Sequence, residues 1–211
     1  MEKHIHNTSL FSKSAALTLT AVNVILFFIT EAFPSVRAYL SLNSVLIIHG
    51  RMYWQFISYM FVHGSLMHLL GNMLGLVFFG TAVERKLGTK QFLILYFSSG
   101  LASGALSFAV YAAAGMNHVF LLGASGAVYA VLLVFSVLFP RTLIYLWGLL
   151  PVPAPILVAV FALIEIFSQL FSVNSGIAHT THLSGFAAAW LYVKIRMKKS
   201  PLALWKEAYR K

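Results

Sequence analysis

From Gln91 to Pro140 the chain runs without a single Asp, Glu, Lys or Arg. A water-soluble fold has no use for such a stretch, whereas one membrane-spanning helix takes roughly 20 apolar residues. The run therefore holds two spans, separated at the weak segment Gly115-Met116-Asn117-His118. Further uncharged runs lie at 14–30, 52–83, 142–164 and 166–193. They predict an all-α membrane protein with six helices at about 15–33, 65–83, 91–113, 124–139, 150–171 and 181–197. Composition agrees: 60% of the residues are hydrophobic and 9% charged, against about 25% charged in soluble domains. The stretch 34–64, broken by Pro34, Asn43 and Gly50, reads as a loop in the membrane interface anchored by Tyr53, Trp54, Phe56 and Tyr59.

The formal net charge of +10 would suit nucleic acid if the basic residues clustered on a soluble face. They sort by membrane side instead. With six spans and a cytoplasmic N-terminus, every Lys and Arg except Arg37 and Arg51 falls on the cytoplasmic side. The positive-inside rule then puts both termini in the cytoplasm and removes the argument for nucleic acid. The expected organisation is a cytoplasmic segment at 1–14, a membrane domain at 15–197 and a basic cytoplasmic tail at 198–211. The first apolar stretch lacks a small-residue cleavage site and is expected to be retained. Leu202, Leu204 and Trp205, set among basic residues, suit an anionic inner surface.

Two absences bound the chemistry. The chain has no cysteine, which excludes disulfides, thiolate metal sites and a cysteine nucleophile. It also has no aspartate, and its acids are Glu2, Glu31, Glu84, Glu165 and Glu207. The expected topology nevertheless brings polar residues from three spans to one depth near the external face. Ser125 opens the fourth span, His182 the sixth, and His63, His68 and Asn72 enter with the second. His68 and Asn72, four apart, share a helix face. A serine hydroxyl needs a base before it attacks, and histidine is the usual one. With no aspartate, the arrangement expected is a Ser–His dyad. His68, Asn72 and the backbone N–H of Ser125 are available as oxyanion donors, and Gly123 and Gly126 let the chain turn tightly around the serine.

Each of these residues has a plainer reading. A serine between glycines in a membrane helix is most often a packing residue, as are the small pairs Gly71/Gly75 and Gly185/Ala189. His49 and His118 read as loop histidines. His179, one turn before His182, is open between a rival base and a structural hydrogen-bonding residue.

The combined pattern resembles the rhomboid family of intramembrane serine proteases over nearly the whole chain. It rests on His63, His68 and Asn72, on Gly123-Ala124-Ser125-Gly126, and on His182 followed by Gly185. The resemblance implies a six-helix rhomboid bundle with Ser125 as nucleophile, His182 rather than His179 as base, and no cofactor or metal. It implies His68 and Asn72 as oxyanion-hole side chains, His63 as a supporting histidine and Tyr129 packed beside the base. Glu84-Arg85 and Leu87-Gly88 resemble the family's turn after the second span. Two positions depart from the pattern: Gln55 follows Trp54 where the family often has arginine, and Ala189 stands where glycine is common.

The implied substrates are single-pass membrane proteins with a small residue before the cut and a helix that unwinds nearby. The compact form suggests a bacterial inner membrane; oligomeric state stays open. A catalytically inactive rhomboid-like protein that binds membrane clients is the main alternative, and a small proton-coupled transporter using Glu165 is a second. Glu165 belongs to no motif. An acid inside a span is a functional candidate by default; lining a wet cavity, bonding a loop and packing as a neutral acid are its three possible roles.

Overall fold

The computed structural model describes residues 14–146, 148–171 and 176–210. The expectations about Lys3, Lys13, Lys211 and loop residues 172–175 lie outside these. The chain begins with α1 (Ala15–Ala32), which ends where Pro34 enforces a non-helical predecessor. A connection of short helices follows: α2 (Pro34–Leu40), α3 (Ser44–Ile48) and α4 (Gln55–Ser58), then a tight turn at Tyr59–Phe61. Next, α5 (Leu66–Gly75) runs through a widened π turn at Leu76–Gly80 into α6 (Thr81–Leu87), and α7 spans Thr89–Ala113. The second half comprises α8 (Ser125–Leu138), α9 (Ala154–Phe171), α10 (Gly176–Met197) and α11 (Pro201–Tyr209). This is an all-α, multi-pass membrane bundle, with one small hairpin among the described residues.

Six long apolar helices were expected. Among the described residues four are long and apolar enough to cross a bilayer: 15–32, 66–87, 89–113 and 154–171. The other two owe their shape to their position. Helix α8 has 14 residues, about 21 Å at 1.5 Å per residue, short of a hydrocarbon core about 30 Å thick. It is buried along nearly its whole length, so it is solvated by protein and needs neither the length nor the lipid-facing surface of a peripheral span. Helix α10 is long but polar near its start, with His179, Thr180, Thr181, His182 and Ser184. It begins at Gly176, earlier than the expected 181.

The predicted fifth helix starts late. Residues Leu143–Leu146 (β1) and Leu150–Pro153 (β2) form an antiparallel hairpin with Leu143 opposite Pro153 and Leu146 opposite Leu150. Pro151 and Pro153 explain the shift, because a helix begun at 150 would set Pro155 against the carbonyl of Pro151. With α9 starting at Ala154, Pro155 falls in the first turn, where its missing N–H costs nothing.

The connection 34–64 also departs from a surface loop. Tyr53 and Trp54 are exposed, as anchors should be, but Tyr59 is fully buried and donates its hydroxyl to the Gly100 carbonyl at 2.7 Å. Phe56, half-buried, packs edge-on against Phe108. Gln55 is buried as a hub, accepting from the Asn43 N–H at 3.0 Å and donating to the Tyr39 carbonyl at 3.1 Å. The connection is thereby a folded scaffold, and it straps down the segment preceding α8. Leu42 and Leu121 exchange two main-chain hydrogen bonds, and the Gly123 N–H donates to the Tyr59 carbonyl at 2.9 Å.

At the opposite end, Glu84 joins α6 to the start of α1. Its carboxylate accepts from the Ala15 and Ala16 N–H groups at 2.8 and 3.0 Å, and from the Ser14 and Thr89 hydroxyls at 2.7 and 2.8 Å. The two N–H groups are donors that a helix N-terminus otherwise leaves unpaired. The following Gly88, at φ 83°, makes the turn into α7. The tail helix α11 docks on the same end of α8: the Trp205 indole donates to the Ser136 carbonyl at 3.1 Å.

Candidate functional site

Ser125 is the first residue of α8, where helix N–H groups lack intrahelical acceptors. Gly123 makes this start possible. Its φ of 119° is closed to side chains, and a Cβ there would lie 2.6 Å from the His68 ring. Helix α10 then approaches α8 so closely that a Cβ on Gly185 would fall 2.0 Å from the Gly126 carbonyl oxygen. In lipid, helices associate through such close packing rather than through expulsion of water. The contact at Gly126 and Gly185 holds the next α10 turn, carrying His182, against Ser125.

The outcome is a direct hydrogen bond of 2.9 Å between Ser125 Oγ and His182 Nε2. Tyr129, one turn after Ser125, lies flat on the His182 ring, with centroids 4.3 Å apart and planes 10° from parallel. On the other side of the imidazole, His182 Nδ1 lies 2.8 Å from Glu165 Oε1. The same oxygen accepts the Tyr129 hydroxyl at 2.7 Å, and Glu165 Oε2 is hydrogen-bonded to His179 Nδ1. The carboxylate thus gathers three partners while itself being buried.

A cavity of about 810 Å³ opens on this constellation, lined by His68, Asn72, Ser125, Tyr129 and His182 among others. Ser65 caps α5 by accepting the His68 N–H at 3.2 Å, which sets His68 in the first turn. Asn72, one turn on, donates its side-chain amide to the His68 carbonyl at 3.0 Å. His63 lies behind, fully buried, edge-on to His68 with centroids 5.0 Å apart. Burial, then the neighbouring His68, pushes the His63 imidazole down to about 3, so it stands there as a neutral ring.

The motif residues His68, Asn72, Ser125 and His182 therefore share one site with His63 behind it, and Glu165 and His179 join it as residues that no motif indicated. A signal for Glu165 was present in the helical period. Ala154, Pro155, Leu157, Val158 and Glu165 are the buried residues of α9, and 158 and 165 are seven apart, two turns along one face. His179 and His182 stand one turn apart on α10, so both rings reach the same carboxylate. Glu165, His179 and His182 also offer metal-ligand atoms that lie within 4.8 Å of one another. It is a donor set of the kind zinc accepts, and each of those atoms is already hydrogen-bonded within the cluster.

The fold and site define a multi-pass helical membrane protein with a serine–histidine pair at the wall of an open-sided cavity. Residues 50–199 match the family model of the Rhomboid domain, and the chain belongs to the rhomboid family. Among curated relatives, it is 35% identical over 151 residues to RHOMBOID-like protein 12, mitochondrial, of Arabidopsis thaliana, covering 64% of this chain and 44% of the relative. Rhomboid protein 1, mitochondrial, of Saccharomyces cerevisiae is 36% identical over 138 residues, covering 63% and 38%. Rhomboid protease GlpG of Salmonella newport is 34% identical over 79 residues, covering 37% and 26%. The matched region spans less than half the length of each of these relatives.

Proposed function

We propose that this protein is an intramembrane serine endopeptidase that cuts membrane-protein substrates near the external face of the bilayer, with both its termini in the cytoplasm. In this reading α8 and α10 join the four long helices as the fourth and sixth spans of a rhomboid bundle, 15–197, flanked by a cytoplasmic segment at 1–14 and a basic tail at 198–211. The observation that carries the proposal is the 2.9 Å hydrogen bond from Ser125 to His182 Nε2 at the wall of the cavity.

As Ser125 Oγ bonds to the scissile carbonyl carbon, its proton passes to His182 Nε2. The carbonyl π electrons move onto oxygen, and that oxyanion is met by the Ser125 N–H at the head of α8, where the helix dipole favours negative charge. His68 and Asn72 are the side-chain donors, Asn72 by rotating off the His68 carbonyl. Collapse of the tetrahedral adduct breaks the C–N bond, and His182 returns its proton to the leaving amine. Water, activated by the same imidazole, then hydrolyses the acyl-serine. The cavity gives water and an unwound substrate strand a common place to meet in the bilayer. Single-pass proteins with a small residue before the cut are the substrates proposed.

The test is cleavage of a single-span reporter in liposomes by wild type, Ser125→Ala and His182→Ala. Loss of cleavage in both variants, with folding intact, supports the reading. A wild type that neither cuts nor labels at Ser125 with a fluorophosphonate would instead point to an inactive client-binding protein.

A further inference from the structure

The absence of aspartate suggests that the serine and histidine act as a pair alone. The geometry argues for a third member. We propose that Glu165 is the positioning residue of a Ser125–His182–Glu165 triad, with Tyr129 and His179 fixing the carboxylate; this rests on the protease reading above.

The hydrogen-bond roles lead to this assignment. An ionised carboxylate only accepts, so the 2.8 Å contact to Oε1 requires His182 Nδ1 to carry the hydrogen. The other ring nitrogen, Nε2, is then left with its lone pair directed at Ser125 Oγ 2.9 Å away. That tautomer is the one able to take the serine proton. When the proton arrives, the imidazolium stays hydrogen-bonded to a negative charge, and the Nδ1–H bond remains intact because Glu165 accepts no proton.

The carboxylate's orientation is determined by its other partners. Tyr129 both donates to Oε1 and stacks on the His182 ring, tying the acid and the base to one rigid side chain. His179 Nδ1 donates to Oε2, so rotation of the carboxylate would break all three bonds. The partners come from three helices: Tyr129 from α8, Glu165 from α9, His179 and His182 from α10. A glutamate merely shielded from lipid would need donors of any kind. Here one donor is the very imidazole that contacts Ser125.

The experiment measures kcat and KM separately for Glu165→Gln, Glu165→Leu and Glu165→Asp, together with the rate of fluorophosphonate labelling at Ser125. Replacing the orienting carboxylate of a serine–histidine site lowers turnover by up to about 10,000-fold. Glu165→Gln should lose at least about 100-fold in kcat and Glu165→Leu more, with KM within about threefold of wild type. Labelling should slow in parallel yet persist, unlike in Ser125→Ala, and Glu165→Asp should recover at least about tenfold over Glu165→Gln by restoring the charge. Should Glu165→Leu fail to fold, the Gln and Asp pair still decides. The triad is overturned by a kcat within about threefold of wild type in folded Glu165→Gln, or by a raised KM at unchanged kcat. It is equally overturned if chelators abolish wild-type activity, which would make the cluster a metal site. The protease reading itself fails separately, through a wild type inert to both reporter and probe.

Discussion

Two buried glutamates, Glu84 and Glu165, sit in the same helical bundle and have opposite surroundings. Glu84 is ringed by two main-chain N–H groups and two hydroxyls. None of these changes protonation near neutral pH, and their common effect is to clamp the start of α1 onto α6. Glu165 is ringed by two imidazoles and a phenol, and one of the imidazoles touches a serine. Burial is alike in the two cases. The partners separate a structural acid from a chemical one: fixed dipoles around a carboxylate hold helices, whereas titratable rings around it connect it to proton transfer.

That contrast is broken most directly by neutralising each acid in turn. Glu165→Gln is expected to cost at least about 100-fold in kcat per folded molecule, or roughly 3 kcal/mol or more in the barrier, with unfolding little changed. Equal loss of turnover in folded Glu84→Gln would erase the distinction. Glu84→Ala should act on stability instead. It leaves the first N–H groups of α1 without their charged acceptor, at a cost of about 3 kcal/mol in a detergent unfolding equilibrium, while the folded fraction cuts its reporter at the wild-type rate.

Gly185→Ala tests whether the site depends on helix approach as well as on its polar atoms. A Cβ 2.0 Å from the Gly126 carbonyl must push α10 off α8. The expected destabilisation is about 2 kcal/mol, and kcat should fall with it, because His182 retreats with its helix. An unaltered kcat would show that the base tolerates the displacement. The smallest effect belongs to Tyr129→Phe, which keeps the ring stacked on His182 but removes one hydrogen bond to Glu165. A loss of about 1 kcal/mol, near fivefold in kcat, is expected; a drop as large as that of Glu165→Gln would transfer the positioning role to the tyrosine.

The residues themselves show which of these features could be foreseen. Ser125, His182, His68 and Asn72 stand out as polar groups inside apolar runs, since a membrane tolerates such groups only where they face the protein interior. Glu165 stands out on the same ground, and Glu84 through its resemblance to the family's turn after the second span. Their partners do not, because His179 and Glu165 are brought together by α9 and α10 packing and not by any spacing along the chain. A fifth helix starting at 150 ignores the proline chemistry of 151–155, and Tyr59 reads as an interfacial anchor because its aromatic character suits either place.

The sequence by itself determined that this is a multi-pass membrane protein of the rhomboid family, and it singled out the polar residues that gather at one cavity. Hydropathy suffices for the first, since every span must satisfy its backbone internally and present apolar side chains to lipid. Only the tertiary structure decided that α8 is a short helix enclosed by its neighbours, that Tyr59 turns inward, and that Glu165 meets His182. The physical reason is common to all three. In lipid the outer surface of a helix is as apolar as its packed face, so the alternation that reveals inside and outside in a soluble protein is missing, and which helix lies beside which is settled by close packing.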